Sequence, residues 1–303
     1  MANYKNAYYD IYTTNRYFYE SNNGQLIVPT KYKSIHDYCH YKNNSGKCNG
    51  YFEAASSGVI HLLKNFKKYN LEDDKLAEYA ILWLSYKLNI KSKNKLTDLN
   101  DFYTNYIETN NYYNNKINGN DGLTYKEIIN KKKDLMNIKE ISKFNNPFHI
   151  LFYLYYVYHD ERLICEQYSR YAKTFADQFT VLNNDSKNIE GSPYSQILST
   201  LSNDYKHLKK IYYGKNKSCD FPSLPELTPK KIDAQPTTLR PEVTSSSSSI
   251  STTLIPALST FSVIPVFLGI AYKYSLFGID KLFQRQYLKK KLKKVKKKMK
   301  LNI

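Results

Sequence analysis

Residues 75–90 read KLAEYAILWLSYKLNI, and their spacing decides the class of the folded part. Leu76, Tyr79, Ala80, Trp83, Leu84 and Leu88 recur at intervals of three and four. That period lays them on one face of an amphipathic helix. Val59, Leu62, Leu63 and Phe66 predict a helix just before it, and Leu99, Phe102, Tyr103 and Tyr106 one just after. Residues 125–141 predict a fourth through Ile128, Leu135, Ile138 and Ile141. Pro147 opens the stretch FHILFYLYYVYHDERLICEQYSRYAKTFADQFTVL, apolar early and amphipathic later. Its uncharged run 148–158 has eleven residues, too few to span a bilayer, and predicts a central buried helix. A last helix is expected from about 194 to 212, with Ile197, Leu198, Leu201, Tyr205 and Leu208 on its inner face. Alternating β-branched runs are few, so the predicted fold class is all-α. Residues 1–50 read as mostly loop, broken by Gly24, Pro29 and the Asn-Asn-Ser-Gly run at 43–46.

The chain has 303 residues and a formal net charge of +18. That length allows one or two domains with a sizeable core. With 10 Gly and 10 Pro it is not collagen-like, and with 4 Cys it is no disulfide-dense miniature scaffold. Residues 273–300 alone hold twelve Lys/Arg against Asp280, a net of +11. A protein that grips nucleic acid through its folded surface would carry that charge there instead, so no nucleic-acid partner is expected. The 31 Tyr, the doubled Asn residues and the preference for Lys over Arg share A/T-rich codons, and base bias accounts for them.

Residues 254–272 read LIPALSTFSVIPVFLGIAY, without a charge, between the ends Leu254 and Tyr272. Nineteen residues at about 1.5 Å each span roughly 28 Å as a helix, near a hydrocarbon core of about 30 Å. Pro256, Pro265 and Gly269 would break a soluble helix but are tolerated in a transmembrane one. The flank before it is SSSSSISTT and the flank after it is basic, so the positive-inside rule puts the tail in the cytosol and residues 1–253 outside it. Residues 1–20 lack the apolar run of a signal peptide, which leaves two routes open: 254–272 as a late signal-anchor, or a recruiting system that recognises something else. In the tail, Leu288, Leu292, Val295 and Met299 are spaced four, three and four among lysines. That is a basic amphipathic helix suited to anionic lipids of the cytosolic leaflet, each Lys contributing on the order of 1 kcal/mol. The predicted organisation is a helical ectodomain over 1–221, a Pro/Ser/Thr-rich stalk over 222–253, a transmembrane helix over 254–272 and a basic cytosolic tail over 273–303.

No phosphate-binding glycine loop, H-E-x-x-H or G-x-S-x-G is present. His36, Cys39, His40 and Cys48 come nearest to a metal cluster, but their spacing matches no zinc pattern. His159 and Cys165 stand six apart on one expected helix, facing different ways, and make a poor nucleophile–base pair. No catalysis, cofactor or metal is expected. Cys39, Cys48, Cys165 and Cys219 in a domain outside the cytosol are candidates for disulfides. Three connectivities are open, of which Cys39–Cys48 with Cys165–Cys219 is the local one. Sequons stand at Asn43, Asn184 and Asn216.

Several strings together carry a resemblance: YFEAASSGVIHLL (51–63), AEYAILWLSYKLN (77–89), SPYSQILSTLSNDY (192–205), CDFPSLPEL (219–227) and the long run 255–299. The chain resembles the Plasmodium interspersed repeat (PIR) proteins, in particular the branch found in rodent malaria parasites. The resemblance implies a multigene variant antigen at parasite, vacuolar or infected-erythrocyte membranes, with roles in immune evasion and host-cell interaction and no enzymatic activity. It implies no residue-level ligand site, and its partner, a host receptor or an antibody, stays open. Members usually carry a Cys near the N-terminus and another shortly before the one matching Cys219, and this chain has neither in 1–20 nor in 211–218. The expectation is that the two were partners lost together, and two free thiols on alkylation would sink it. Arg16-Tyr-Phe-Tyr-Glu20 has Phe where a short export signal needs Leu. The leading expectation is thus a single-pass antigen whose helical domain meets host molecules. The alternative is a membrane-organising protein working through its transmembrane helix and tail.

Overall fold

The computed structural model describes residues 3–20, 26–41, 44–89, 98–159 and 164–231. The expected membrane helix with its ends Leu254 and Tyr272, and the tail with Leu288, Leu292, Val295 and Met299, lie outside the described residues. No helix among the described residues is long and apolar enough to cross a membrane.

Nine α-helices carry the described fold: α1 (Tyr4–Asn15), α2 (Lys33–His36), α3 (Tyr51–Phe66), α4 (Asp73–Leu88), α5 (Leu99–Phe102), α6 (Tyr125–Asn130), α7 (Asn145–Tyr158), α8 (Cys165–Asn183) and α9 (Pro193–Lys215). Three two-stranded antiparallel ribbons lie among them: β1 (Tyr19–Glu20) with β2 (Leu26–Ile27), β3 (His40–Tyr41) with β4 (Asn44–Ser45), and β5 (Lys116–Asn118) with β6 (Asp121–Thr124). Local chemistry sets the helix ends. Ser192 caps α9 by accepting from the Ser195 amide, with Pro193 at the first helical position, where its missing N–H costs nothing. Thr124 and Glu127 cap α6 reciprocally. Asp73 and Asp74 meet the positive end of α4.

Helix α7 is the centre. Phe148, Leu151, Phe152, Leu154 and Tyr155 are all buried, and α1, α4, α8 and α9 pack round it. A helix apolar on all sides has no stable place except a core. Helices α3 and α4 cross at Gly58, where an added Cβ would stand 2.5 Å from the Trp83 ring.

The structure departs from the expectations at four places. The segment 1–50 contains α1, whose Ala7, Tyr8, Ile11 and Thr14 form a buried stripe, with Asn3 capping the first turn through the Asn6 amide. Residues 125–141 are not one helix. α6 stops at Asn130, and tight turns at Lys133–Asn137 and Ile141–Phe144 follow. Those turns bring Ile128, Ile129, Leu135, Met136, Ile141 and Phe144 all inward, which one straight helix cannot do. His159 and Cys165 do not share a helix: His159 caps the end of α7 and Cys165 opens α8. Finally, the expected stalk starts too early. Residues 222–230 run back along α9, tied by Tyr205 to the Pro222 carbonyl (2.8 Å), Asn183 to the Glu226 carbonyl (2.7 Å) and the Lys230 amide to the Asn188 carbonyl (2.8 Å). The first compact unit accordingly runs to Ile232.

Candidate functional site

The cysteines frame the domain. Cys39 lies just before β3, and Cys48 just before α3, and they form a disulfide with a Cα separation of 5.3 Å. Cys165 at the start of α8 is bonded to Cys219 beyond α9, with 4.9 Å between Cα atoms. The second bridge closes 54 residues and the first 9. By loop entropy the two remove about 4 and about 2.5 kcal/mol of unfolded-state freedom. Neither histidine of the 36–48 cluster is set up as a metal ligand. His36 accepts the Cys48 amide at Nδ1 (3.3 Å) and meets the Val28 carbonyl at Nε2 (3.2 Å). His40 lies 3.2 Å from the Asp37 carbonyl and packs on the Tyr112 ring. Among the described residues no group of three His, Cys, Asp or Glu could hold a metal. His159 packs its ring on Tyr9 at 4.8 Å, while Cys165 is consumed in its disulfide. Of the sequons, Asn184 and Asn216 are exposed, and Asn43 lies outside the described residues.

The strongest polar cluster is one that sequence spacing does not show. Asp204 of α9 is buried, and its Oδ2 accepts from Tyr8 of α1 (2.7 Å) and Tyr79 of α4 (2.6 Å). Tyr155 of α7 donates to the Asp204 carbonyl (2.7 Å) and stacks on Tyr8 at 4.6 Å. One residue thus ties four helices together, its carboxylate joining α9 to α1 and α4 and its main-chain carbonyl joining α7. Burial pushes the Asp204 pKa up to about 6, although both tyrosine hydroxyls favour its charged form. Burial likewise raises Tyr8 and Tyr79, so both remain donors. The one available signal was an acid inside the apolar stripe of Leu201, Tyr205 and Leu208.

Beside this cluster lies a shallow cleft of about 590 Å³ between α4 and α9, reached past Tyr4. Four of its charged groups pair among themselves. Lys75 bridges Glu78 (3.0 Å) and Thr200 (2.6 Å), and Lys132 reaches Gln196 (3.0 Å) and Asp74 (3.7 Å). A pairing of that kind holds helices in place and presents no activated nucleophile.

A family model described as Plasmodium variant antigen protein Cir/Yir/Bir matches residues 9–273. The chain belongs to that family. The match takes in the core helices, both disulfides and the apolar run at 254–272. Among solved structures, the Cir/Yir/Bir chain is similar to one titled "Structure of a Plasmodium PIR protein ectodomain", at 32% identity and a TM-score of 0.54. The similarity covers 74% of this chain and 99% of that one. No curated protein matches. The described Cir/Yir/Bir domain is mostly helical, and residues 1–232 form a compact unit of their own.

Proposed function

We propose that the chain is a single-pass membrane variant antigen of a malaria parasite. In this reading its helical domain is displayed outside the cytosol, where it meets host molecules or antibodies and evades recognition through sequence variation. No step of catalysis is assigned to it. The observation that supports the reading is the uncharged run 254–272 followed by a tail with twelve basic residues over 273–300, which by the positive-inside rule favours a membrane helix with its tail in the cytosol. Two disulfides in the domain support the same side, because such bonds persist in oxidising compartments. The basic spacing of Leu288, Leu292, Val295 and Met299 favours a second reading, in which tail and membrane helix organise lipid and the domain is a bystander.

Protease protection on intact infected erythrocytes separates the two, with one tag in the stalk and another at the C-terminus. Surface display requires external protease to remove the stalk tag and spare the C-terminal one. Survival of both tags until the outer membrane is opened would remove the surface reading and leave the lipid-organising one.

A further inference from the structure

The chain leaves the described domain beside the α8–α9 turn, where Lys230 pairs with Ile189. The other end of α9 lies about 34 Å away along the helix. There the surface is basic and aromatic. The Tyr158 ring holds the ammonium groups of Lys5 and Lys215, 4.6 and 4.9 Å from its centroid. Next to it, His159 packs on Tyr9, Tyr9 stacks on Tyr156 at 5.6 Å, and Tyr156 stacks on Tyr12 at 3.7 Å. Two turns back along α9, His207 meets the edge of the Tyr4 ring at 6.4 Å. Lys206, Lys210 and Tyr213, spaced four and three, line the solvent side of the same helix, and Lys217 stands exposed just beyond its end.

These groups feel one another. Burial first, then Lys5 and Lys215, hold His159 below its ordinary pKa, and burial and Lys210 do the same to His207. Among the described residues no carboxylate pairs with Lys5, Lys206, Lys210 or Lys217. The nearby acids are engaged elsewhere: Asp10 accepts from Tyr69, Asp204 is buried, and Asp220 pairs with Lys209. Asp160 and Glu161 follow His159 in the chain and lie outside the described residues. Tyr9 and Tyr213 are exposed at 38% and 47%, unusual for large rings in a domain that buries most of its own.

We propose that this face binds an acidic glycan, its sulfates or carboxylates set against Lys5, Lys206 and Lys210 and its sugar rings laid on the exposed tyrosines. The choice of occupant follows from the chemistry. Each lysine is a compact point charge on a flexible stem, able to meet one anion of a dispersed array. Tyrosine offers a flat apolar face together with a polar tip, which matches a sugar's C–H face and its hydroxyls. Unanswered positive charge raises the encounter rate with a polyanion at low salt. The proposal rests on display outside the cytosol for its biological setting. Binding in solution does not, so the two fail separately.

The test uses the oxidised domain 1–231, which leaves out the basic tail as a rival anion site. A heparin octasaccharide, a DNA octamer and phosphatidylserine vesicles are titrated against wild type, against K5Q/K206Q/K210Q and against Y9A/Y213A. All substituted side chains reach solvent, and circular dichroism checks that the fold is kept. The expected result is saturable binding of the octasaccharide, roughly tenfold weaker in the lysine variant and several-fold weaker in the tyrosine variant at unchanged charge. No binding, or binding that the lysine variant leaves intact, overturns the proposal. So does equal affinity for DNA or vesicles with no effect of the tyrosines, which would mean unspecific attraction to any polyanion.

Discussion

Asp204 is the residue whose chemistry reaches furthest through the domain, and its energetics can be read with their sign. Its pKa stands at about 6 in the folded chain against an ordinary 3.8. A raised carboxyl pKa means that the folded state holds its proton more tightly than the unfolded state does. The stability from this group is therefore complete below about pH 3.8 and is lost as pH rises through about 6. Asp204→Asn keeps an oxygen for the Tyr8 and Tyr79 hydroxyls but cannot ionise. Between pH 4 and pH 7 the wild type should lose on the order of 2 kcal/mol relative to this variant. Urea unfolding at the two pH values measures it, and a wild-type–variant gap that does not change with pH would refute the assignment. The cluster was not legible in the sequence for a physical reason. Tyr8, Tyr79 and Tyr155 approach from 196, 125 and 49 residues away, beyond any local period. Base bias also explained the tyrosines in number without saying which ones fold inward.

At the scale of elements, the helices visible in the sequence are those richest in apolar residues, and α4, expected to be amphipathic with one apolar face, is buried on nearly every side, as is α7. α3, α4 and α9 each place apolar residues at three and four, α7 follows from its uncharged run 148–158, and each occurs close to where that reading puts it. α1 escaped because two of its four buried positions are Ala7 and Thr14, which carry little hydrophobic signal. The break after Asn130 escaped because Ile128, Leu135, Ile138 and Ile141 fit a helical period while the core needs their neighbours too. The α3–α4 crossing gives a prediction whose sign depends on structure. In an exposed helix, Gly→Ala stabilises by about 1 kcal/mol. At Gly58 the new methyl would meet the Trp83 ring at 2.5 Å and the Phe18 ring at 3.2 Å. Gly58→Ala should therefore destabilise the domain by about 1–3 kcal/mol. Adding Trp83→Phe should cost less in that background than alone, since the smaller ring makes room for the methyl. A set of urea melts on the two single variants and the double tests both statements, and an alanine variant at least as stable as wild type would show that the helices can part without cost.

At the scale of the whole molecule, the position where the folded domain ends matters more than any one side chain, because under the proposed topology the tether begins there. Composition puts that end at residue 221, where prolines begin. Contacts put it about ten residues later, since prolines are compatible with an extended strap that makes its bonds through carbonyls. The strap begins at Cys219, held to α8 by its disulfide, and passes the buried Phe221. It then supplies the Pro222 and Glu226 carbonyls to Tyr205 and Asn183, and the Lys230 amide to the Asn188 carbonyl. Thr228 adds a second hold on Asn183, its amide donating to Oδ1 at 3.2 Å. Each such bond contributes about 1 kcal/mol net, and ordering the strap offsets part of the sum. A chain cut after residue 231 should thus be more stable than one cut after 221 by on the order of 2 kcal/mol. The shorter chain should also lose amide-exchange protection around Asn183 and Asn188 while keeping it round Asp204, because only the α8–α9 end loses its cover. Equal urea midpoints for the two chains would mean that the strap rests on the domain without holding it, and the tether would then begin at Cys219.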